Sequence, residues 1–474
     1  MRPLPNPTRL KPKAAIDTWQ QLTPLTQGLL ILLVVNTLWV LPSALVALSD
    51  YFIFHLPLKA RELPFYHLVQ FFTLRQDLDS WEPMWSAFEQ LKAEPRMPLY
   101  AEIFFEQHTK FQYPLTSMLL FYALQAVLSP FNPSYPQALY SVLAVLSWLS
   151  FAILLIVSVK IFNISERQTA APSPGKFEQI LRAVLLILLG LSFYPAIRAY
   201  SLGQIQAWIN ALFAVMLWCW MREQKQIAGI LGGLICLVKP QYAVILLWGV
   251  LRRQWRFAVT FVSVTAAGWL VACGMFGIAN NLDYLKVLSF ISKRGEAYYP
   301  NQSVNGLMNR LLFNGSNLTW TADSFAPFNG WIYGCTLASS VLLLLFALRP
   351  PVKRSQGTAL DFALVSLTAT MASPIAWEHH YGILLPIYAV ILPQLFQHRV
   401  WNALSLPLLA LSYVLASHYF YIAKKLADTP ILNLAQSYLF FGALIVLLSL
   451  YRLRDQVSTP LLSPSESSLA PELS

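Results

Sequence analysis

Charge is what this sequence has least of. Of its 474 residues only 12% are Asp, Glu, Lys or Arg, against 56% hydrophobic, and the mean hydropathy is +0.52. A chain so poor in charge is no ordinary soluble domain; the balance is that of a polytopic membrane protein. Cysteine is scarce too. Cys219, Cys236, Cys273 and Cys335 all fall in apolar runs without C-x-x-C spacing, so neither a disulfide framework nor a zinc site is indicated. The first apolar run is too long for a signal peptide and lacks a small-residue cleavage site, so it reads as a retained span. No internal repeat stands out, which disfavours the inverted-repeat transporter folds. A net charge of +11 would suit nucleic acid, but the Lys and Arg residues cluster at the ends of apolar runs. The preference for positive charge on the cytoplasmic side of a membrane accounts for them, and no nucleic-acid partner is implied.

What is present is a series of apolar windows of about 20 residues, the length at which a helix spans a bilayer. They begin near Gly28, Pro114, Gln137, Ile180, Gln204, Ile227, Phe257, Gly330, Leu360, Tyr381, Trp401 and Leu432. The expected fold class is therefore all-α: a polytopic integral membrane protein of about twelve transmembrane helices. Alternating crossings put the basic N-terminus, Arg252 to Arg256, Arg349 to Arg354, His398-Arg399 and Arg452 to Arg454 on the cytoplasmic side. The loop Asn163–Lys176 and the turn Arg222–Lys225 fit badly, because alternation makes them exterior although they carry basic residues. A broken or re-entrant helix at Lys239-Pro240 is one resolution. Residues 1–26 are expected as a cytoplasmic segment, 27–452 as one membrane domain, and 453–474, rich in Ser, Pro and Leu, as a disordered cytoplasmic tail.

The same alternation leaves an exterior loop over residues 50–112, a second over 278–329, and a corner at Ser373 to His380. The first loop holds nine acidic residues against six basic ones, interleaved with aromatics from Phe65 to Phe88, which suits short helices lying in the membrane interface. Asp77 and Asp79 are solvated loop acids on one reading. On the other, an aspartate beside a sugar hydroxyl takes its proton as that hydroxyl attacks an activated carbon. Lys239 sits in an unbroken apolar run, at an insertion cost of roughly 2.5–3.5 kcal/mol. It either meets an anion such as a lipid phosphate in a polar cavity or snorkels to the interface. Asn301 and Gln302 offer amides to sugar hydroxyls, and Arg310 offers the fork that grips phosphate; a plain polar loop is the alternative for the amides. Trp377, His379 and His380 stand at the exterior end of a span. Paired histidines contact phosphate, move protons or bind metal, but E-H-H lacks the spacing of a metal motif. Phosphate or sugar contact is preferred, and no metal or other cofactor is expected.

Taken in order, DLDSW followed by LY and FQYPLTSMLL, then GQIQAW, AGILGGLICLVKPQ with RRQWR after it, NQSVNGLMNR and SPIAWEHH resemble glycosyltransferase family 87. These are polytopic enzymes of the GT-C fold that use polyprenyl-phosphate sugars, typically polyprenyl-phosphate mannose. The resemblance runs from Arg75 to Pro386. It implies that Asp77, which opens a D-L-x-x-Y-like motif with Trp81 in place of tyrosine, is the general base, with Asp79 and Asp50 as second and third choices. It further implies a substrate and donor-phosphate site from Lys239, Arg310, His379, His380, Gln204, Asn301, Gln302, Tyr113 and Trp377. The expected partners are a polyprenyl-phosphate sugar, a lipid or glycan acceptor and the bilayer. The expected reaction is transfer of a hexose, mannose by family habit, with inversion on the exterior face of the cell membrane. The competing reading is a lipid or polysaccharide transporter or flippase, for which Lys239 and the histidines would line the path.

Overall fold

The computed structural model describes residues 19–55, 64–128, 135–169, 174–321, 325–351, 357–397, 405–420, 423 and 432–456. Among them every regular element is a helix, apart from one isolated bridge between Asn301 and Trp377. Residues 1–18 of the expected N-terminal segment, the tail from 457, and Lys353, Arg354, His398 and Arg399 lie outside the described residues.

α1 (Pro24–Phe52) runs past Asp50, so that residue is in the first helix and not in the loop; its side chain lies outside the described residues. The acidic segment that follows folds as α2 (Pro64–Phe72), α3 (Trp81–Ala93) and a π-helical turn at Tyr100–Glu106. α3 shows why. Trp81, Met84, Ala87, Phe88 and Leu91 recur at helical spacing and are all buried, while Glu82 in the first turn and Lys92 in the last complement the helix dipole. Burying the larger of these side chains, at roughly 1.5–3 kcal/mol each, stabilises a helix too short to persist alone. They share a core with Tyr100, Phe111 and Phe121, the last from α4 (Met118–Leu128). This core is separate from that of the main bundle, and it makes the loop a packed lobe.

α5 (Tyr135–Arg167) runs from the lobe to the far end of the bundle. There Arg182 of α6 (Lys176–Leu191) binds Glu166, Glu178 and both Thr23 and Thr26 at the start of α1. α6 returns and bends by 57° into α7 (Tyr194–Ser201), and α8 (Gln206–Met221) descends again. α9 (Lys225–Val238) then rises only as far as Lys239. Proline 240 cannot continue the hydrogen-bond ladder and pushes the residue before it into extended backbone, which Lys239 adopts at φ −130° and ψ 90°. After a 3-10 turn, α10 (Ala243–Leu251) goes back to the end from which α9 came. At that end Trp220 Nε1 donates to Gly357 O (2.9 Å), while Trp248 Nε1 (2.8 Å), Arg252 (2.7 Å) and Arg454 (3.4 Å) converge on Asp361. α9 and α10 thus form a re-entrant hairpin with Lys239 at its tip. The window beginning near Ile227 turns back on itself at Lys239, and both the Arg222–Lys225 turn and the end of α5 lie at the basic end of the bundle.

α11 (Trp255–Phe276) packs closely on α9, where a Cβ on Gly229 would come within 2.4 Å of the Phe257 carbonyl oxygen. The expected second loop contains α12 (Ile278–Arg294) and α13 (Val304–Leu311). α14 (Gly330–Leu348), α15 (Ala359–Met371), α16 (Leu384–Gln397), α17 (Ser405–Ser417) and α18 (Tyr438–Gln456) complete the bundle, the last running beyond the boundary expected at 453. By length and composition, four helices among the described residues can cross a membrane, or five with the bent α6–α7 pair, alongside seven shorter apolar ones. The chain is a multi-pass membrane protein, helical throughout its described regular elements.

Candidate active site

The acidic lobe meets the bundle at two short backbone segments. Asp77 N donates to Ser201 O (2.8 Å), Asp79 N to Leu202 O (3.0 Å) and Ser80 N to Gly203 O (3.3 Å). Gly203 has φ +66°, and a Cβ there would stand 1.8 Å from the Asp77 carbonyl oxygen, so only glycine allows both the left-handed turn and the approach. His67 steadies the same segment, with Nδ1 2.7 Å from Ser201 Oγ. Burial first, and the Arg198 charge next, hold its pKa down to about 3, so it stays neutral.

This joint fixes Asp79. Gln204 Nε2 donates to Asp79 Oδ2, while Gln204 Oε1 accepts from Ser80 Oγ (2.7 Å), and Ser80 Oγ lies 2.8 Å from Tyr113 OH. The Asp79 side chain is open to the site, yet protein surrounds it on most sides. That desolvation raises its pKa, although Gln204, Arg198 and Lys110 favour the charged form; Asp77 adds to the rise. Across from it Lys110 Nζ lies 2.9 Å from the buried Glu296 carboxylate, and 4.6 and 4.5 Å from the ring centres of Trp320 and Phe325. Burial likewise raises the pKa of Glu296, against the pull of Lys110.

The cations come from the other side. Lys239, at the hairpin tip, is 8% exposed, and among the described residues its Nζ has no hydrogen-bond or ion-pair partner. It lies within electrostatic reach of His379 and His380, whose rings are 4.7 Å apart, and Arg198 reaches His379, Asp79 and Glu378. Trp377 packs against His379 (5.9 Å) and Tyr298 (5.8 Å). Arg198, which reaches Asp79 and His379, and Glu296, which reaches Asp79 and Trp377, therefore link the Asp79, Gln204 and Tyr113 group to the Trp377–His380 turn and Lys239 in one site.

The remaining expected residues lie elsewhere. Asp77 lines a neighbouring cleft. Arg310 is 1% exposed, with NH1 directed at the carbonyls of residues 297 to 301 and NH2 donating to Ser437 Oγ (2.6 Å). Asn301 Nδ2 donates to the carbonyls of Glu296 and Pro374 and its Oδ1 accepts from Ala376 N, while Gln302 bonds Tyr299 O, Gln436 O and Phe440 N. These three brace the walls. Arg198, Lys110, Glu296 and Ser80 were not singled out in the sequence. Arg198, a lone cation in YPAIRAYSLGQ, carried the same signal as Lys239. Among the described residues no three His, Cys, Asp or Glu side chains gather as metal ligands.

Residues 111–374 match the model of glycosyltransferase family 87. Two curated relatives are polyprenol-phosphate-mannose-dependent alpha-(1-2)-phosphatidylinositol mannoside mannosyltransferases. That of Mycobacterium tuberculosis is 25% identical over 222 residues, 46% of this chain and 49% of the relative. That of Mycolicibacterium smegmatis is 26% identical over 295 residues, 56% of this chain and 63% of the relative. The chain thus spans about half to just under two thirds of the length of these relatives, and the family match begins after the segment that carries Asp77 and Asp79.

Proposed function

The chain belongs to glycosyltransferase family 87, and from that premise we propose that it transfers a hexose, mannose in the first instance, from a polyprenyl-phosphate donor to a lipid or glycan hydroxyl. The observation that carries the reading is Asp79, held by Gln204 and within electrostatic reach of Arg198, which also reaches His379 beside Lys239. A carboxylate and a group of cations thus meet around Arg198. A glycosyl phosphate needs both. Its leaving phosphate requires charge neutralisation, which Lys239 supplies with Arg198 and the His379-His380 turn around it; preorganised positive charge in a site poor in water acts most strongly where charge develops. The acceptor hydroxyl requires a base, and Asp79 takes its proton as the oxygen bonds to the anomeric carbon and the carbon–phosphate-oxygen bond breaks. Base and leaving group on opposite faces of the ring give inversion. The resemblance of DLDSW points to Asp77 as base; the Gln204 contact and the electrostatic links to Arg198 and Lys110 favour Asp79.

We assign the site to the exterior face, because the Arg-rich end lies opposite it. The test is purified protein in nanodiscs with radiolabelled polyprenyl-phosphate mannose and a panel of glycolipid and glycan acceptors. Consumption of donor with appearance of a labelled acceptor supports the reading. No consumption of any polyprenyl-phosphate sugar removes it in favour of transport.

A further inference from the structure

Beside the site of Asp79 lies a cavity of about 570 Å³, on the part of the 75–78 segment that carries Asp77. Its walls come from α2, through Tyr66 and Gln70, from the segment Leu74 to Leu78, and from the first turns of α5, through Tyr140 and Ser141. Its volume is that of a small-molecule site. The reaction outlined above places no group in it.

Its chemistry is specific. Both amide atoms of Gln76 are buried without a hydrogen-bond partner among the described residues, while Gln70, only 6% exposed, is engaged by Tyr66 and His67. Buried amides are nearly always paired, so the two unpaired atoms of Gln76 on the wall of this cavity mark where a ligand's donor and acceptor belong. Arg75 and Asp77 contribute one charge of each sign, so the lining has no net charge to offer an anion. Two tyrosines stand on it, and Leu74 and Val145 at its rim are 51% and 47% exposed. Amides, opposed charges and aromatic rings suit a ring with hydroxyls on its edge and a weakly polar face; the exposed apolar rim suits a lipid that carries it.

We infer that this cleft binds the neutral carbohydrate ring of a lipid-linked acceptor and feeds it to the site of Asp79. It rests on the proposed transferase reading only for the ligand's role as acceptor; the binding itself does not depend on it. The cleft sits on the same short segment as Asp79, and Asp77 and Asp79 are in electrostatic reach of one another, so a ring held at one has its hydroxyls near the other.

The full chain in phosphatidylcholine nanodiscs is titrated with methyl α-D-mannopyranoside, with binding followed by saturation-transfer NMR. Wild type should bind in the millimolar range. Ser141→Trp, which fills the cleft from an exposed helix face, should abolish binding. The smaller Gln76→Ala should weaken it at least fivefold. An n-octyl glycoside binding tighter than the methyl glycoside supports the lipid-linked source. No binding to wild type, wild-type binding in both Ser141→Trp and Gln76→Ala, or displacement by inorganic phosphate overturns the proposal. Binding that behaves as expected in a protein inert toward every polyprenyl-phosphate sugar would leave the cleft's ligand standing and remove the transferase reading instead.

Discussion

Replacing Asp79 by Asn preserves the size of the side chain and one oxygen that can accept from Gln204 Nε2, but it removes the proton acceptor. The site holds one obvious substitute, Glu296, and Lys110 occupies it at 2.9 Å, so rescue by a neighbour is small. Loss of a general base then costs 100-fold or more in turnover, about 2.7 kcal/mol of barrier. Donor binding should be nearly intact, because the proposed phosphate contacts lie on the hairpin tip and the Trp377–His380 turn. The pH profile gives a second readout. Burial raises the pKa of Asp79, and the base works ionised, so turnover in wild type should fall on the acidic side at a pH above the unperturbed carboxylate value of about 3.9. Asp79→Asn should lack that limb. The sign for stability is opposite: a carboxylate with a raised pKa in the fold destabilises it once ionised, so the Asn variant should melt at the same or a higher temperature at pH 7. A damaged fold would do the reverse. The assay is single-turnover transfer from radiolabelled donor, with binding measured separately. Full turnover in Asp79→Asn alongside an inactive Asp77→Asn would move the base to Asp77, where DLDSW points; full turnover in both would refute the carboxylate mechanism.

Lys239→Met keeps the stem and removes one charge-assisted contact, about 1.5–3 kcal/mol, so donor Kd should rise on the order of 10- to 100-fold; unchanged affinity in nanodiscs would leave Lys239 a snorkelling residue. Gly203→Ala forces a methyl against the Asp77 carbonyl in a left-handed turn, and should lower turnover at least tenfold without altering helicity by circular dichroism; normal turnover would show that the joint is not what fixes Asp79. Impermeant thiol labelling should reach cysteines at Glu94 and Asn314 from outside the cell but not one at Glu223. Labelling at Glu223 would restore alternating crossings in place of the hairpin.

The helices were legible in the sequence because lipid leaves so little choice: a long apolar run must satisfy its backbone internally. Their direction was not. AGILGGLICLVKPQYAVILLWGV reads as one span by hydropathy, and the re-entrant turn shows only in one lysine and one proline, a signal that also fits a kinked helix. What settles it lies far off in sequence, at Asp361, where Arg252 and Arg454 meet. Once the hairpin is in place, the basic residues at Arg222–Lys225 and beyond Asn163 cease to be exceptions.

The site divides along similar lines. Lys239 stood out because a charge at membrane depth has few purposes, and Arg198 could have been found by the same rule; His379-His380 stood out as a pair at the end of a span, and Gln204 through the resemblance. Arg310, Asn301 and Gln302 were picked for their donors in the second exterior loop, and those donors bond backbone carbonyls, since residue type does not reveal whether a donor faces a cavity or a row of carbonyls. Asp77 and Asp79 are two residues apart in one loop, and no periodicity separates their roles. The separation arises from Gly203, whose missing side chain lets Ser201 to Gln204 dock against the loop and hand Asp79, rather than its neighbour, to Gln204. A contact between residues 77 and 203 is invisible until the bundle closes, so the choice between the two acids is tertiary information, and the pair of Asn substitutions is the measurement that reads it.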